Sequence, residues 1–129
     1  MNPAALPDLT GLRILVVEDE ALVAMMIEDQ LTDLGCVVLG PAGNVAQGLA
    51  VLDAAAPPLD GAVLDVNLAG EKVYPIADEL TRRHIPYIFA TGYDLAGIAP
   101  AFAATPTLAK PFAALALATM LGRTVGRGR

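Results

Sequence analysis

The chain has 129 residues and one cysteine, and its 8 Lys+Arg against 14 Asp+Glu give a formal charge of −6. That length fits one domain, a single thiol excludes an internal disulfide, and the acidic balance disfavours nucleic-acid binding. Apolar residues make up 55% and charged residues 17%, a composition that excludes a disordered chain. No basic residue precedes Arg13, so a secretory leader is not expected. The uncharged stretch 34–52 holds Gly35, Gly40, Pro41, Gly43 and Gly48, which a membrane helix tolerates poorly. The expectation is a soluble, cytoplasmic domain with no membrane insertion.

Along the chain, short apolar runs alternate with segments of helical period. Residues 1–11 read as a flexible lead-in, 12–122 as the domain and 123–129 as a basic tail. Ile14-Leu15-Val16-Val17 is apolar without alternation, as in a strand covered on both faces. Ala24, Ile27, Leu31 and Leu34 then mark one face of a helix stopped by Gly35, with Met25 and Met26 read as core. Cys36 to Leu39 is a second strand, ended by Gly40-Pro41, with Cys36 as a small core residue. Asn44, with Gln47 three residues on, offers an N-cap to a helix facing inward through Val45, Leu49 and Leu52 and ended by Pro57-Pro58.

Ala62-Val63-Leu64 forms the third strand and leads into Asp65. Val73, Ile76, Ala77 and Leu80 predict a third helix, with His84 at its solvated end. Tyr87-Ile88-Phe89-Ala90 is the fourth strand. Gly97 and Pro100 within 94–105 predict a fourth helix that is short, irregular or mobile. Thr107-Leu108-Ala109 supplies a fifth strand, and 113–121 a last helix with Leu117, Met120 and Leu121 inward. Five strand–helix alternations predict an open α/β sheet with helices on both faces.

Glu18 and Asp19 follow the first strand, Asp65 ends the third, Thr91 the fourth and Lys110 the fifth. Ligands bind at that edge of open α/β sheets, where the strand order reverses; an order of 2-1-3-4-5 makes the first and third strands neighbours there. Carboxylates about 5 Å apart repel by roughly 3 kcal/mol per pair at an effective dielectric near 20. A cation, or a raised pKa, relieves that repulsion. An all-oxygen donor set without Cys or His suits Mg²⁺. Mg²⁺ beside a lysine and a hydroxyl is what a transferring phosphoryl group requires, with Asp65 as candidate nucleophile.

Val17-Glu18-Asp19, Leu64-Asp65-Val66-Asn67, Thr91-Gly92 and Lys110-Pro111-Phe112 together resemble the receiver domains of two-component response regulators. The resemblance spans about Arg13 to Leu121. It implies a flavodoxin-like (βα)5 three-layer sandwich with sheet order 2-1-3-4-5. It further implies phosphorylation of Asp65 by a sensor histidine kinase, and Mg²⁺ held by Glu18, Asp19, Asp65 and the Asn67 backbone carbonyl. Thr91, Gly92 and Lys110 would contact the phosphoryl group, with a cis bond between Lys110 and Pro111.

The aromatic switch that receivers commonly carry three residues before the lysine is here Thr107. Instead, 86–93 resembles an alphaproteobacterial receiver subfamily with a Phe-Ala-Thr-Gly-aromatic signature, whose fourth helix is short or dynamic. That makes Tyr93, with Thr91, the expected switch. The reading is a stand-alone receiver, a monomer or weak dimer, signalling by contact with an unknown downstream protein. Alternatives are a phosphate sink for a shared kinase and a phosphorylation-independent binding module. A phosphatase is disfavoured because Asn67 stands where a general acid would be needed, and a nucleotide-binding domain because 18–20 is acidic rather than Gly-rich.

Overall fold

Ile14-Leu15-Val16-Val17 lacks polar alternation because both of its faces are covered. In the computed structural model, which describes residues 8–92 and 97–125, β1 (Arg13–Val17) lies inside a five-stranded sheet. Ile14 and Val16 enter one core with Ile27, Leu31, Leu117 and Leu121. Leu15 and Val17 enter a second core with Leu52, Ile76, Leu80 and Phe89. The sheet thus divides two apolar cores, each roofed by helices.

The elements that follow are α1 (Ala21–Asp33), β2 (Val37–Ala42), α2 (Val45–Ala54) and β3 (Gly61–Asp65). A hairpin of β4 (Asn67–Leu68) and β5 (Glu71–Lys72) precedes α3 (Tyr74–Arg82) and β6 (Tyr87–Thr91). A 3-10 turn at Pro100–Phe102, β7 (Thr107–Ala109) and α4 (Ala114–Thr124) complete the chain. The main sheet runs β2-β1-β3-β6-β7, all parallel, which is the expected 2-1-3-4-5 once the hairpin strands are set aside. Among the described residues the fourth connection holds the 3-10 turn and no α-helix, as its Gly and Pro predicted.

Four local readings need correction. Gly40-Pro41 does not end the second strand: β2 continues to Ala42 through a register shift opposite Leu15–Val17. It can, because β2 is an edge strand, where proline's missing N–H costs no ladder bond, and Gly40 supplies φ +95°. Met25 is 55% exposed, since α1 buries the stripe Ala24, Ile27 and Leu31 and Met25 falls outside it; Met26 packs at the core's margin. The lead-in is not all loose: Leu9 is buried, and Gly11 N–H donates to the Gly35 carbonyl at 2.8 Å. Nor does order stop at 122. Val125 is buried against Gly61, where a Cβ would stand 2.6 Å from Val125 Cγ2.

Two helix ends follow the chemistry read from the chain. Asn44 Oδ1 accepts from Gln47 N–H at 2.8 Å, capping α2, while Gln47 Oε1 accepts from Gly43 N–H at 2.8 Å. Gly35, at φ +89°, lets Cys36 N–H reach the Leu31 carbonyl at 3.0 Å and closes α1. The equivalent residue after α3 is His84, held at φ +60°.

Candidate functional site

Parallel pairing brings the C-terminal ends of β1, β3, β6 and β7 to one edge. Val17 pairs with Leu64, Asp65 with Ala90 and Thr91 with Ala109, so the residues just past each strand converge. Glu18 is tied there by its N–H to the Ala42 carbonyl at 2.8 Å, and Lys110 by its N–H to the Thr91 carbonyl at 2.8 Å. Glu18, Asp65 and Thr91 are buried, whereas Asp19 is exposed.

One carboxylate oxygen from each of Glu18, Asp19 and Asp65 lies within 4.8 Å of the others. Lys110 Nζ donates to Glu18 Oε1 at 2.7 Å and stands 3.5 Å from Asp65 Oδ2. Asp65 Oδ1 also accepts from Asn67 N–H at 3.3 Å. Burial, and next the negative charge of Glu18, push the Asp65 carboxyl up to about 7, against the pull of Lys110 and the Asn67 N–H. Contact with Glu18 and Asp65 raises the Lys110 ammonium above its usual range, although burial opposes this.

A cleft of about 350 Å³ opens over the cluster, lined by Glu20, Val23, Met26, Asp65, Asn67, Thr91, Gly92, Lys110 and Pro111. A Cβ placed on Gly92 would meet no atom within 4 Å, so this backbone faces open space in the cleft. The Lys110–Pro111 bond is cis. The donor set fits Mg²⁺: three oxygen ligands, no nitrogen or sulfur, and a cleft with room for water and one further oxygen. The Asp65 carboxyl, raised by burial and then by its acidic neighbour Glu18, would be relieved by a cation.

Glu18, Asp19, Asp65 and Lys110 therefore come together as expected, with Asn67, Thr91 and Gly92 on the same cleft. Tyr93 lies outside the described residues. Sequence reasoning missed the hairpin that follows Asp65. Asn67 Oδ1 closes it by accepting from Gly70 N–H at 2.7 Å, and Glu71 Oε1 accepts from Val45 N–H at 3.1 Å at the start of α2. It also missed that Lys110 rests mainly on Glu18, since separation along the chain says nothing about which acid a lysine meets.

No family model matches the chain, and no curated protein matches it. Solved structures do. SdrG from Sphingomonas melonis Fr1 is 42% identical, with a TM-score of 0.74 over 85% of this chain and 94% of that one. The chain belongs to the response regulator receiver domains. The receiver domain of the sensor histidine kinase PA1611 from Pseudomonas aeruginosa PAO1, which has a magnesium ion coordinated in its active-site cleft, is 27% identical. Its TM-score is 0.77, over 91% of this chain and 99% of that one. A response regulator receiver domain protein from Clostridium thermocellum is 25% identical, with a TM-score of 0.77 over 90% of this receiver and 95% of that chain. Among the described residues of this receiver, no helix is long and apolar enough to cross a membrane.

Proposed function

We propose that this receiver takes a phosphoryl group from a histidine kinase onto Asp65 and passes the signal on by protein contact. The observation that carries the reading is the convergence of Glu18, Asp19 and Asp65 within 4.8 Å, beside Lys110, under an open cleft. An Asp65 oxygen attacks the phosphorus of a phosphohistidine in line. The P–N bond breaks, an O–P bond forms, and the imidazole leaves with the electron pair and takes up a proton. Glu18, Asp19, Asp65 and the Asn67 carbonyl would hold Mg²⁺, which supplies neutralising charge for the phosphoryl oxygens.

Lys110 would shift toward the new phosphoryl group as Glu18 turns to the cation. The Thr91 hydroxyl and the Gly92 N–H would receive the remaining oxygens. Leu22, Met25 and Leu115 are 80%, 55% and 61% exposed at the starts of α1, which lines the cleft through Val23 and Met26, and of α4, which begins shortly after the cleft residue Pro111. They offer an apolar rim that a donor protein would cover while presenting its histidine. The Phe89-Ala90-Thr91-Gly92-Tyr93 run supports membership of the alphaproteobacterial subfamily, with Tyr93 as the responding aromatic.

Intact mass after incubation with acetyl phosphate and Mg²⁺ tests this. The wild type should gain one phosphoryl group, and Asp65→Asn or an EDTA-treated sample should gain none. Uptake by Asp65→Asn at the wild-type rate would overturn the assignment.

A further inference from the structure

Among its described residues the connection from β6 to β7 holds no α-helix, yet these residues are not detached from the domain. Three aromatic rings from separate elements hold it. Tyr74, the first residue of α3, stacks on Phe102 of the 3-10 turn with ring centroids 4.6 Å apart and planes 7° off parallel. Phe89, buried in β6, meets Phe102 edge-on at 5.8 Å and Tyr74 at 6.2 Å. The Tyr74 hydroxyl also accepts the Ala99 N–H at 2.9 Å. The bonds described within Pro100 to Thr105 are short-range: Phe102 N–H to the Ala99 carbonyl, Ala103 N–H to Pro100 and Thr105 N–H to Phe102, with the Thr107 hydroxyl donating to the Thr105 carbonyl.

We propose that Tyr74 is a positioning residue that anchors the β6–β7 connection to α3, doing there what a fourth helix does by packing. Phe89 lies two residues before Thr91 on the same strand, and the anchored segment leads to Thr107, which opens β7 and the approach to Lys110. Movement of Thr91 toward a ligand in the cleft would therefore reach a segment held by the Phe102 ring and the Tyr74 hydroxyl, with Ile98 packed on the same core and the Pro106 carbonyl accepting the Phe89 N–H at 2.9 Å. The anchoring stands apart from the phosphoacceptor reading; its consequence for signalling rests on that reading.

Amide hydrogen exchange on the full chain separates the two. In Tyr74→Phe the stack is kept and the acceptor lost, so the Ala99 amide should exchange about five- to tenfold faster, with Phe102, Ala103 and Thr105 little changed. In Tyr74→Leu all four amides should exchange at least about tenfold faster, while Val16 and Leu64 in the sheet hold their protection. Unchanged exchange at Ala99 in both variants would overturn the proposal, as would an equal loss of protection across the sheet.

Mg²⁺ with beryllofluoride, a phosphoryl mimic, is the second probe, read by amide shifts. The wild type should respond at Thr91 and across 99–105, and Tyr74→Leu at Thr91 alone. Equal responses across 99–105 in both proteins would overturn the coupling. No response at Thr91 in the wild type would count against the phosphoacceptor reading and leave the exchange result to decide the anchor.

Discussion

Lys110 Nζ sits 2.7 Å from Glu18 Oε1 and 3.5 Å from Asp65 Oδ2, so the lysine is bound more closely to Glu18 than to the proposed phosphoacceptor. Both acids are buried, and Lys110 is the cation that meets them among the described residues. A divalent cation bound at this cluster would compete with it for Glu18.

Replacing that lysine should therefore tighten metal binding. Lys110→Met is expected to lower the Kd for Mg²⁺ by about three- to tenfold, because one positive charge is removed from a partly desolvated acidic cluster. Titration calorimetry reads the change. An unchanged or weaker affinity would mean that Lys110 does not compete for the site.

The Asp65 carboxyl, pushed up to about 7 from 3.8, makes stability and metal binding pH-dependent. The folded protein binds this proton more tightly than the unfolded chain does. Its stabilising effect is complete below about pH 4 and is lost as the pH rises to about 7. In EDTA, Asp65→Asn should thus match the wild type near pH 4 and exceed it above pH 7, by on the order of 2–4 kcal/mol. Urea midpoints at the two pH values measure this, and a difference independent of pH would contradict it.

The same proton has to leave before a cation can use Asp65. Mg²⁺ affinity should fall close to tenfold per pH unit below about 7 and level off above it. Calorimetry at pH 6, 7 and 8 checks the slope, and in Asp65→Asn that slope should be absent.

α1 and α3 end in the same way but with different residues. Gly35 occupies φ +89° after α1, and His84 occupies φ +60° after α3, where Ile85 N–H reaches the Leu80 carbonyl at 2.9 Å. His84→Gly should stabilise the fold by about 0.5–1 kcal/mol, because glycine adopts that conformation without strain. Gly35→Ala should destabilise it by at least about 1 kcal/mol, since a Cβ would also stand 2.9 Å from Thr10 Oγ1. Thermal melts of the two variants should move in opposite directions.

Turn chemistry makes a parallel case. Ala69 and Gly70 hold φ +54° and +97° between β4 and β5, the two left-handed positions of a tight hairpin. Ala69→Asn should add about 0.5–1 kcal/mol, because asparagine accepts this conformation more readily than alanine. A lower melting temperature would show that Ala69 serves another contact.

These turns also mark where sequence reading reached its limit. The strands stood out because burial on both faces removes alternation, and the acids stood out because apolar runs led straight into them. The hairpin after Asp65 did not, since Ala-Gly is a weak turn signal beside Asn-Gly. Gly40-Pro41 carries the signature of a breaker, and only the position of β2 at the sheet edge makes it compatible with a strand. Met25 was misread because the stripe that α1 buries, Ala24, Ile27 and Leu31, turns it outward, and an apolar run alone does not say where that stripe is centred. The cluster of Tyr74, Phe89 and Phe102 had no pattern to reveal it, for its rings come from three elements far apart along the chain.

The partition of the interior by the sheet has an evolutionary consequence. The exposed apolar side chains at the starts of α1 and α4 belong to helices over one core, whereas Tyr74 and Phe102 pack against the other. Substitutions that retune one surface need not disturb packing beneath the other, because β1, β3 and β6 stand between them. Two such faces can drift independently, so a duplicated copy of this receiver could remodel one of them while the packing beneath the other stays as it was.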